Sequence, residues 1–127
     1  MPRLPKILLV DSDTTFRRMV GDMIRRHFPD VHVSEARNRE DALRQVRRQR
    51  PGLVLTEIDM RGRRSLDLLE KMHALHPECV IAVMTSYDLP EYREAALQGG
   101  ARHFISKSVP SGPAIMEIVT AELMAPS

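Results

Sequence analysis

An apolar run that ends in acids is the stretch of this chain best suited to chemistry. Residues 53–60 read Leu-Val-Leu-Thr-Glu-Ile-Asp-Met, so the run leads into Glu57 and, two positions later, Asp59. A short apolar run between the turn-forming pairs Pro51-Gly52 and Arg61-Gly62 predicts a buried strand. An acid at the end of such a strand lies at the rim of a sheet, where ligands of open α/β folds bind. We therefore expect the function to centre on Glu57.

Five short apolar runs alternate with five amphipathic segments along the chain. The predicted strands are Lys6–Val10, 31–36, Leu53–Glu57, Val80–Met84 and His103–Ser106. The helices are predicted to begin near Asp11–Thr14, Asn38, Ser65, Asp88 and Pro113, on cap and first-turn signals. This alternation is typical of a parallel sheet covered by helices on both faces. We expect one doubly wound α/β domain over residues 1–127.

Right-handed crossovers bring the carboxyl ends of all parallel strands to one edge of the sheet. The residues expected there are Asp11, Glu57, Thr85 and Lys107, each from a different strand. Two acids, a hydroxyl and an ammonium at one edge predict a site.

Apolar side chains three and four positions apart predict which face of each helix packs on the sheet. The first helix has Phe16, Met19, Val20, Met23 and Ile24 on its predicted inner face. The third has Leu66, Leu69, Met72 and Leu75, and the fifth has Ile115, Ile118, Val119 and Leu123.

The composition is that of an ordinary globular domain, with 43% apolar and 28% charged residues among 127. No apolar run approaches the roughly 20 residues that cross a bilayer, and the N-terminus lacks a signal-peptide core. One cysteine, Cys79, is expected to be a buried reduced thiol. We expect a cytoplasmic protein.

The net charge of +2 is carried mainly by clustered arginines. A basic surface can favour nucleic acid. Aromatic residues are only 4% of the chain, however, and the arginines fall mostly on predicted polar helix faces, which favours solvated surfaces.

Other motifs are weaker. His73 and His76 have a spacing that can hold a metal, but no third ligand lies nearby, so surface histidines are the simpler interpretation. The loop after Val10 lacks the glycines of a dinucleotide site, which argues against a Rossmann enzyme. No pairing of histidine with serine or cysteine indicates a nucleophilic hydrolase.

The edge residues and three longer segments resemble the receiver domain of bacterial response regulators. The segments are Pro51–Leu55, Val80–Ser86 and Gly99–Lys107, and the resemblance covers nearly the whole chain. It implies a flavodoxin-like fold with strand order 2-1-3-4-5. It also implies phosphoryl transfer from a histidine kinase to an aspartate after the third strand, with Mg²⁺ held by an acidic pair after the first.

The match to that family's site is incomplete. The phospho-accepting aspartate corresponds to Glu57, and the acidic pair to Asp11 and Ser12, so one metal-binding acid is lost. Thr85 and Lys107 match the phosphoryl-contacting residues. Phe104 occupies the switch position, without a hydroxyl.

The loop after Lys107 departs from the family as well. Ser108 replaces a usual proline, and since a cis bond before a non-proline residue costs about 3–4 kcal/mol, we expect a trans Lys107–Ser108 peptide.

These departures indicate a degenerate receiver. Glu57 adds one methylene, roughly 1.5 Å of reach, where a misplacement of about 1 Å can cost about 100-fold. We therefore expect signalling without phosphorylation and without a required cofactor. Glu57 either imitates a modified aspartate next to Lys107 and Thr85, or merely pairs with Lys107 in an inactive site. Both interpretations remain open.

Two alternatives use the acids differently. Asp11, Glu57 and Asp59 together could bind Mg²⁺ weakly. They could also support a receiver that is still phosphorylated, or a metal-dependent phosphoryl enzyme.

By resemblance, the domain contacts a kinase or an output protein. The surface would be the fourth helix, fifth strand and fifth helix, around Tyr87, Phe104 and Ile105. A homodimer is a further possibility, while nucleic acid and membrane are not expected as partners.

Overall fold

The computed structural model describes residues 5–58, 64–108 and 111–124. Within these ranges five strands alternate with five α-helices, as predicted. The strands are β1 (Lys6–Val10), β2 (His32–Ala36), β3 (Leu53–Glu57), β4 (Val80–Thr85) and β5 (His103–Ser106). The helices are α1 (Thr14–His27), α2 (Arg39–Gln49), α3 (Arg64–Leu75), α4 (Pro90–Gln98) and α5 (Gly112–Val119), and a π-helical segment, Thr120–Met124, continues α5. No helix in the described ranges has the length and apolarity to span a bilayer.

The five strands form one parallel sheet in the order β2-β1-β3-β4-β5. This confirms the predicted flavodoxin-like topology. The order reverses between β1 and β3, and such a switch point opens a crevice at the carboxyl ends of the strands. Asp11 follows β1 and Glu57 ends β3, so the topology places both acids at this crevice.

Side chains alternate between the two faces of the sheet, because successive residues of a strand point to opposite sides. Leu8, Val54 and Ile81 pack in a core with α2, α3 and α4. Ile7 and Leu55 belong to a second core, with α1 and α5. The central strands β1, β3 and β4 are thus buried on both faces, which explains why their sequences are almost continuously apolar, whereas the edge strands β2 and β5 are partly exposed.

Two predicted helix starts are confirmed by their caps. The Asp13 side chain accepts a hydrogen bond from the N–H of Phe16 at 3.1 Å, and Asn38 accepts one from Asp41 at 2.8 Å. Side chains that accept these bonds satisfy backbone donors that have no partner inside the helix. Because α1 begins immediately after Asp13, Asp11 and Ser12 are left in a short loop at the edge of the sheet.

Two other helix starts differ from the prediction. Helix α3 begins at Arg64, so Ser65 is its second residue and does not precede it. The residue before α4 is Leu89, without a side-chain cap, and Asp88 lies one position too early. Pro90 fixes the backbone at the first position of α4, where its missing N–H costs nothing.

The predicted inner face of α1 is wrong at one position. Met19 is 58% exposed, whereas Arg17, which the pattern assigned to solvent, is buried. The helix is rotated so that the Arg17 guanidinium reaches β2 and the end of β1. An ion pair with a partner from another element decided this orientation, and periodicity within α1 carries no information about it.

His73 on α3 and His76, which follows the helix, are also placed differently from the prediction. His76 is 6% exposed, and His73 Nε2 lies 3.1 Å from the carbonyl oxygen of Cys79. The turn after α3 folds inward, with the His76 N–H bonded to Met72 and the Cys79 N–H bonded to His76. Cys79 is buried as predicted, and burial raises the pKa of its thiol to about 12.

We expect Gly100→Ala to destabilise the fold. Gly100 has φ +114°, and a Cβ there would lie 2.5 Å from Nδ1 of His73. A non-glycine residue in such a conformation costs about 1–3 kcal/mol, measurable as a lower urea midpoint. Gly99→Ala is the matched control, because Gly99 has φ −75° and its Cβ would contact nothing closer than 3.3 Å. Equal losses in the two variants would contradict this explanation.

Candidate functional site

The ammonium of Lys107 joins acids delivered by two different strands. Its Nζ lies 2.6 Å from Oδ2 of Asp11 and 3.2 Å from Oε1 of Glu57. The side chains of Lys107, Asp11 and Glu57 are 10%, 1% and 34% exposed. Three of the four residues predicted at the sheet edge are therefore in direct contact, and Lys107 lies between the two acids.

The remaining carboxylate oxygens also have partners within the chain. Oδ1 of Asp11 accepts a hydrogen bond from the N–H of Asp13 at 2.9 Å. Oε2 of Glu57 accepts bonds from the N–H and the hydroxyl of Ser12, at 3.4 and 3.2 Å. Ser12, at the position predicted for the second acid of the family, thus donates to Glu57.

The three charges shift one another's proton affinity. Burial raises the pKa of Asp11, although the hydrogen bond from Lys107 opposes that shift. Burial alone would also raise the pKa of Glu57, but the contact with Asp11 and the charge of Lys107 outweigh it, so that pKa is lowered. Burial would lower the pKa of Lys107, yet its bonds to both acids raise it. Lys107 therefore stays charged at neutral pH.

Thr85 lies at the same edge but its hydroxyl is engaged elsewhere. Thr85 is 1% exposed, and its Oγ1 accepts a hydrogen bond from the N–H of Tyr87 at 3.0 Å. Its carbonyl accepts the N–H of Lys107 at 2.8 Å, which fixes the backbone from which the lysine extends. In the described contacts, Glu57 is bonded to Lys107 and Ser12 and not to Thr85.

The sequence analysis missed an aromatic contact in the site. The ring centroid of Phe16 lies 4.3 Å from Nζ of Lys107. A cation over an aromatic face is stabilised by about 0.5–2 kcal/mol, depending on its solvation. Phe16 was assigned only to the core, since helical spacing does not distinguish a core ring from a ring beneath a lysine.

A buried arginine, Arg17, holds the backbone of the loop that carries Asp11. The sequence analysis also missed this residue. Nη1 of Arg17 donates to the carbonyl oxygen of Asp11 at 2.7 Å, and its Nε donates to Oε1 of Glu35 at 2.9 Å. Nη2 of Arg25 donates to the other oxygen of Glu35 at 3.2 Å. This clamp ties the loop that carries Asp11 to α1 and β2. The sequence does contain a signal for this clamp, because Glu35 is a charged residue inside a strand, β2, and such a residue needs a partner.

The segment around Lys107 has the predicted backbone. All peptide bonds of the described residues, including Lys107–Ser108, are trans. The N–H of Ser108 donates to Oγ of Ser106 at 3.2 Å. The ring of Phe104 is half-buried and packs against the core of α2, α3 and α4.

The described residues do not fit a Mg²⁺ ion. Magnesium requires near-octahedral oxygen ligands at about 2.0–2.1 Å, while the carboxylates of Asp11 and Glu57 are bonded to Lys107 and to backbone or hydroxyl donors. In the described ranges no three acidic, histidine or cysteine side chains are grouped as metal ligands. Asp59, the third predicted ligand, lies outside the described residues.

Known proteins match this architecture over most of the chain. The family model of the response regulator receiver domain matches residues 7–120. A response regulator of Thermotoga maritima superposes with a TM-score of 0.83 at 21% identity, over 95% of this chain and 98% of that one. A CheY-like receiver domain of Methanospirillum hungatei gives 0.82 at 26% identity, over 95% and 94%.

The fold and the edge residues thus define a doubly wound domain of the receiver class. The chain belongs to the response regulator receiver family, whose domains act in two-component signalling. A protein-glutamate methylesterase/protein-glutamine glutaminase of Geobacillus kaustophilus is 31% identical over 89% of this chain, and one of Syntrophomonas wolfei is 32% identical over 96%. The chain spans only about a third of the length of these two relatives, 32% and 34%.

We expect the Arg17–Glu35 clamp to make stability depend on pH in the acid range. Burial would raise the pKa of Glu35, but its bonds to Arg17 and Arg25 lower it below the usual 4.5. A lowered carboxyl pKa contributes stability above the ordinary value, and this contribution is lost as the pH falls through the folded-state pKa. Glu35→Gln should therefore lower the free energy of unfolding by about 1 kcal/mol at pH 7.

Urea denaturation at several pH values measures this effect. The difference in free energy of unfolding between the natural protein and the variant should narrow below about pH 4, because glutamate in the unfolded state becomes protonated there. Asp22→Asn is the control, because Asp22 makes only an exposed ion pair with Arg25 at 3.4 Å. A gap that stays constant from pH 7 to pH 3 would contradict the assignment.

Proposed function

We propose that this receiver signals through protein–protein contact without being phosphorylated. The observation that carries the proposal is the position of Lys107, whose ammonium bridges Asp11 and Glu57. One ammonium of the same domain thereby offsets one of the two negative charges and donates a hydrogen bond to each acid. No group from outside is needed to complete it.

The chemistry of the acceptor position supports this proposal. Glu57 carries the carboxylate one methylene further from the backbone than an aspartate would. Its two oxygens are bonded to Lys107 and to Ser12. A nucleophile held by donors on both oxygens, and displaced from the position that suits an aspartate, is poorly placed for in-line attack.

The loss of the second metal-binding acid supports it as well. Phosphoryl transfer depends on metal ions that neutralise charge on the transferred group. Ser12 contributes no negative charge and directs its hydrogen toward Glu57. We infer that Mg²⁺ is not required and that the chain is not an enzyme. The enzymatic names of the relatives belong to proteins of which it matches about a third.

The contacts of Glu57 favour a permanently closed cluster over an imitation of the phosphorylated state. A mimic should engage both Lys107 and Thr85, because a phosphoryl group contacts both positions. Glu57 is bonded to Lys107, whereas the Thr85 hydroxyl accepts the N–H of Tyr87. We therefore propose a constitutive module with one conformation at this edge, in the bacterial cytoplasm.

The partner surface we propose is the cleft between α4, β5 and α5. It has a volume of about 380 Å³, and Arg93, Leu97 and Phe104 are among its lining residues. Leu97 is 41% exposed, while Ile105, named for this surface from the sequence, is only 5% exposed and belongs to the α1–α5 core. An exposed leucine beside an exposed arginine fits a partner segment with an apolar anchor and an adjacent acid. A histidine kinase or an output protein is the kind of partner we expect.

We expect the natural protein to gain no phosphoryl group from acetyl phosphate and Mg²⁺. Glu57→Asp alone should react weakly or not at all, since Ser12 still leaves the metal position incomplete. The double variant Ser12→Asp/Glu57→Asp restores both acids and should be modified. Intact-mass spectrometry under native pH reads out the bound group.

The outcomes separate the alternatives. Modification of the natural chain would mean that it is still a phosphorylated receiver and would end the proposal. The double variant is expected to bind Mg²⁺, because it restores both acids. A rise in its thermal unfolding temperature in millimolar Mg²⁺ measures that binding. Turnover of acetyl phosphate by the natural chain would instead favour the metal-dependent enzyme.

We expect Leu97→Asp to abolish partner binding while leaving the fold intact, because a charge replaces an exposed apolar anchor. Pairwise two-hybrid tests against kinases and output proteins of the source organism identify the partner. Titration of the purified pair then gives the affinity, with a loss of at least about tenfold expected for the variant. Met19→Asp is the control, since Met19 is also exposed (58%, against 41% for Leu97) but lies on α1. Loss with Met19→Asp alone would place the partner on α1.

A further inference from the structure

The face that α1 and α5 present to solvent has an apolar groove along its middle. Met19 of α1 is 58% exposed, the most of any large apolar side chain in the described part of the protein. It borders a cavity of about 460 Å³ between the two helices, whose apolar lining includes Phe16, Met23 and Ile115. Contiguous exposed apolar surface marks interaction sites, and methionine side chains adapt to the surface that covers them. The groove is therefore suited to an apolar partner surface.

The two helices that form the groove carry opposite charge. Helix α1 contains four arginines and one aspartate. Two of these arginines, Arg17 and Arg25, are already bonded to Glu35. Helix α5 and the π-helical segment that continues it, residues 112–124, contain two glutamates and no lysine or arginine. Both helices pack on the same face of the sheet, so a positive helix lies beside a negative one.

Each helix has an exposed charge that is unpaired within the described residues. Arg26 of α1 borders the cavity, and the structure gives it no hydrogen bond or ion pair there. Glu117 of α5 is in the same situation. It lies between Pro113 and Thr120, which are also exposed and stand four and three positions away, so these residues form the outer row of α5. Glu117 also borders the α4–β5–α5 cleft.

We propose that this face is the interface between two copies of the chain, related by a two-fold axis along the groove. In such a dimer the same patch of both copies is used, and α1 of each copy lies on α5 of the other. Positive α1 then meets negative α5 twice, with Arg26 directed toward the partner's Glu117. The Met19 side chains of both copies lie in the shared groove, away from water. The face is complementary to itself in charge, which favours a second copy over an unrelated protein.

Sedimentation equilibrium of the natural protein, from micromolar to submillimolar concentrations, tests the association. We expect a reversible equilibrium between monomer and dimer. Met19→Asp should raise the dissociation constant of the dimer at least about tenfold, because a charge replaces an apolar contact at the centre of the interface. Leu97→Asp, which makes the same kind of change on α4, is the matched control and should leave the constant unchanged. A natural protein that stays monomeric, or a dimer that Leu97→Asp weakens as much as Met19→Asp, would overturn the proposal.

Exchanged charges test which helices meet. Arg26→Glu alone and Glu117→Arg alone each bring like charges together in both halves of the interface, so each should weaken the dimer at least about tenfold. An equimolar mixture of the two variants should dimerise like the natural protein, because each copy supplies the charge that the other lacks. Both positions are exposed, and circular dichroism with urea unfolding verifies the fold of each variant. If the mixture associates no better than the separate variants, α1 does not lie on α5 and the proposal is wrong.

Discussion

The ion cluster around Lys107 is the interaction on which the edge of this sheet depends. Two acids lie within hydrogen-bonding distance of one ammonium, and one of them, Asp11, is almost fully buried. Removing one partner of a buried pair leaves an uncompensated charge and costs about 3–5 kcal/mol. The lysine therefore keeps the β1 and β3 ends together at the point where the strand order reverses.

The clamp beneath the cluster explains why Asp11 is held in place. Its backbone carbonyl accepts Arg17 Nη1, while its side chain accepts Asp13 N–H and Lys107. A buried carboxylate whose backbone and side chain are both bonded loses most of its freedom to reorient. Binding a divalent cation there would require Lys107 to leave, so the native arrangement favours the closed cluster at neutral pH, where Lys107 is charged.

The sequence was sufficient to predict the alternation of strands and helices and the four residues at the sheet edge, because both follow from periodicity and topology, whereas the strand order came from the resemblance to the receiver family. Short continuous apolar runs identify the central strands, a 3.6-residue period identifies the helices, and right-handed crossovers place the strand ends together. The pattern could not show that Arg17 turns inward while Met19 turns outward, since that rotation of α1 depends on Glu35 in another element. His76 was missed for the same reason: its burial is set by the turn that follows α3.

The position of Lys107 also determines how an input could reach this domain. Its ammonium contacts Asp11 and Glu57, and Lys107 also lines, together with Phe16, a cavity between α1 and α5 of about 460 Å³. A receiver with a free acceptor responds at the end of β3, but here the oxygens of Glu57 are already bonded. On the proposed phosphorylation-independent function, an input acts by changing what Lys107 contacts, either through its acids or through Phe16. The second route keeps the hydrogen bonds from Lys107 to Asp11 and Glu57, so it does not leave the buried carboxylate of Asp11 without its partner.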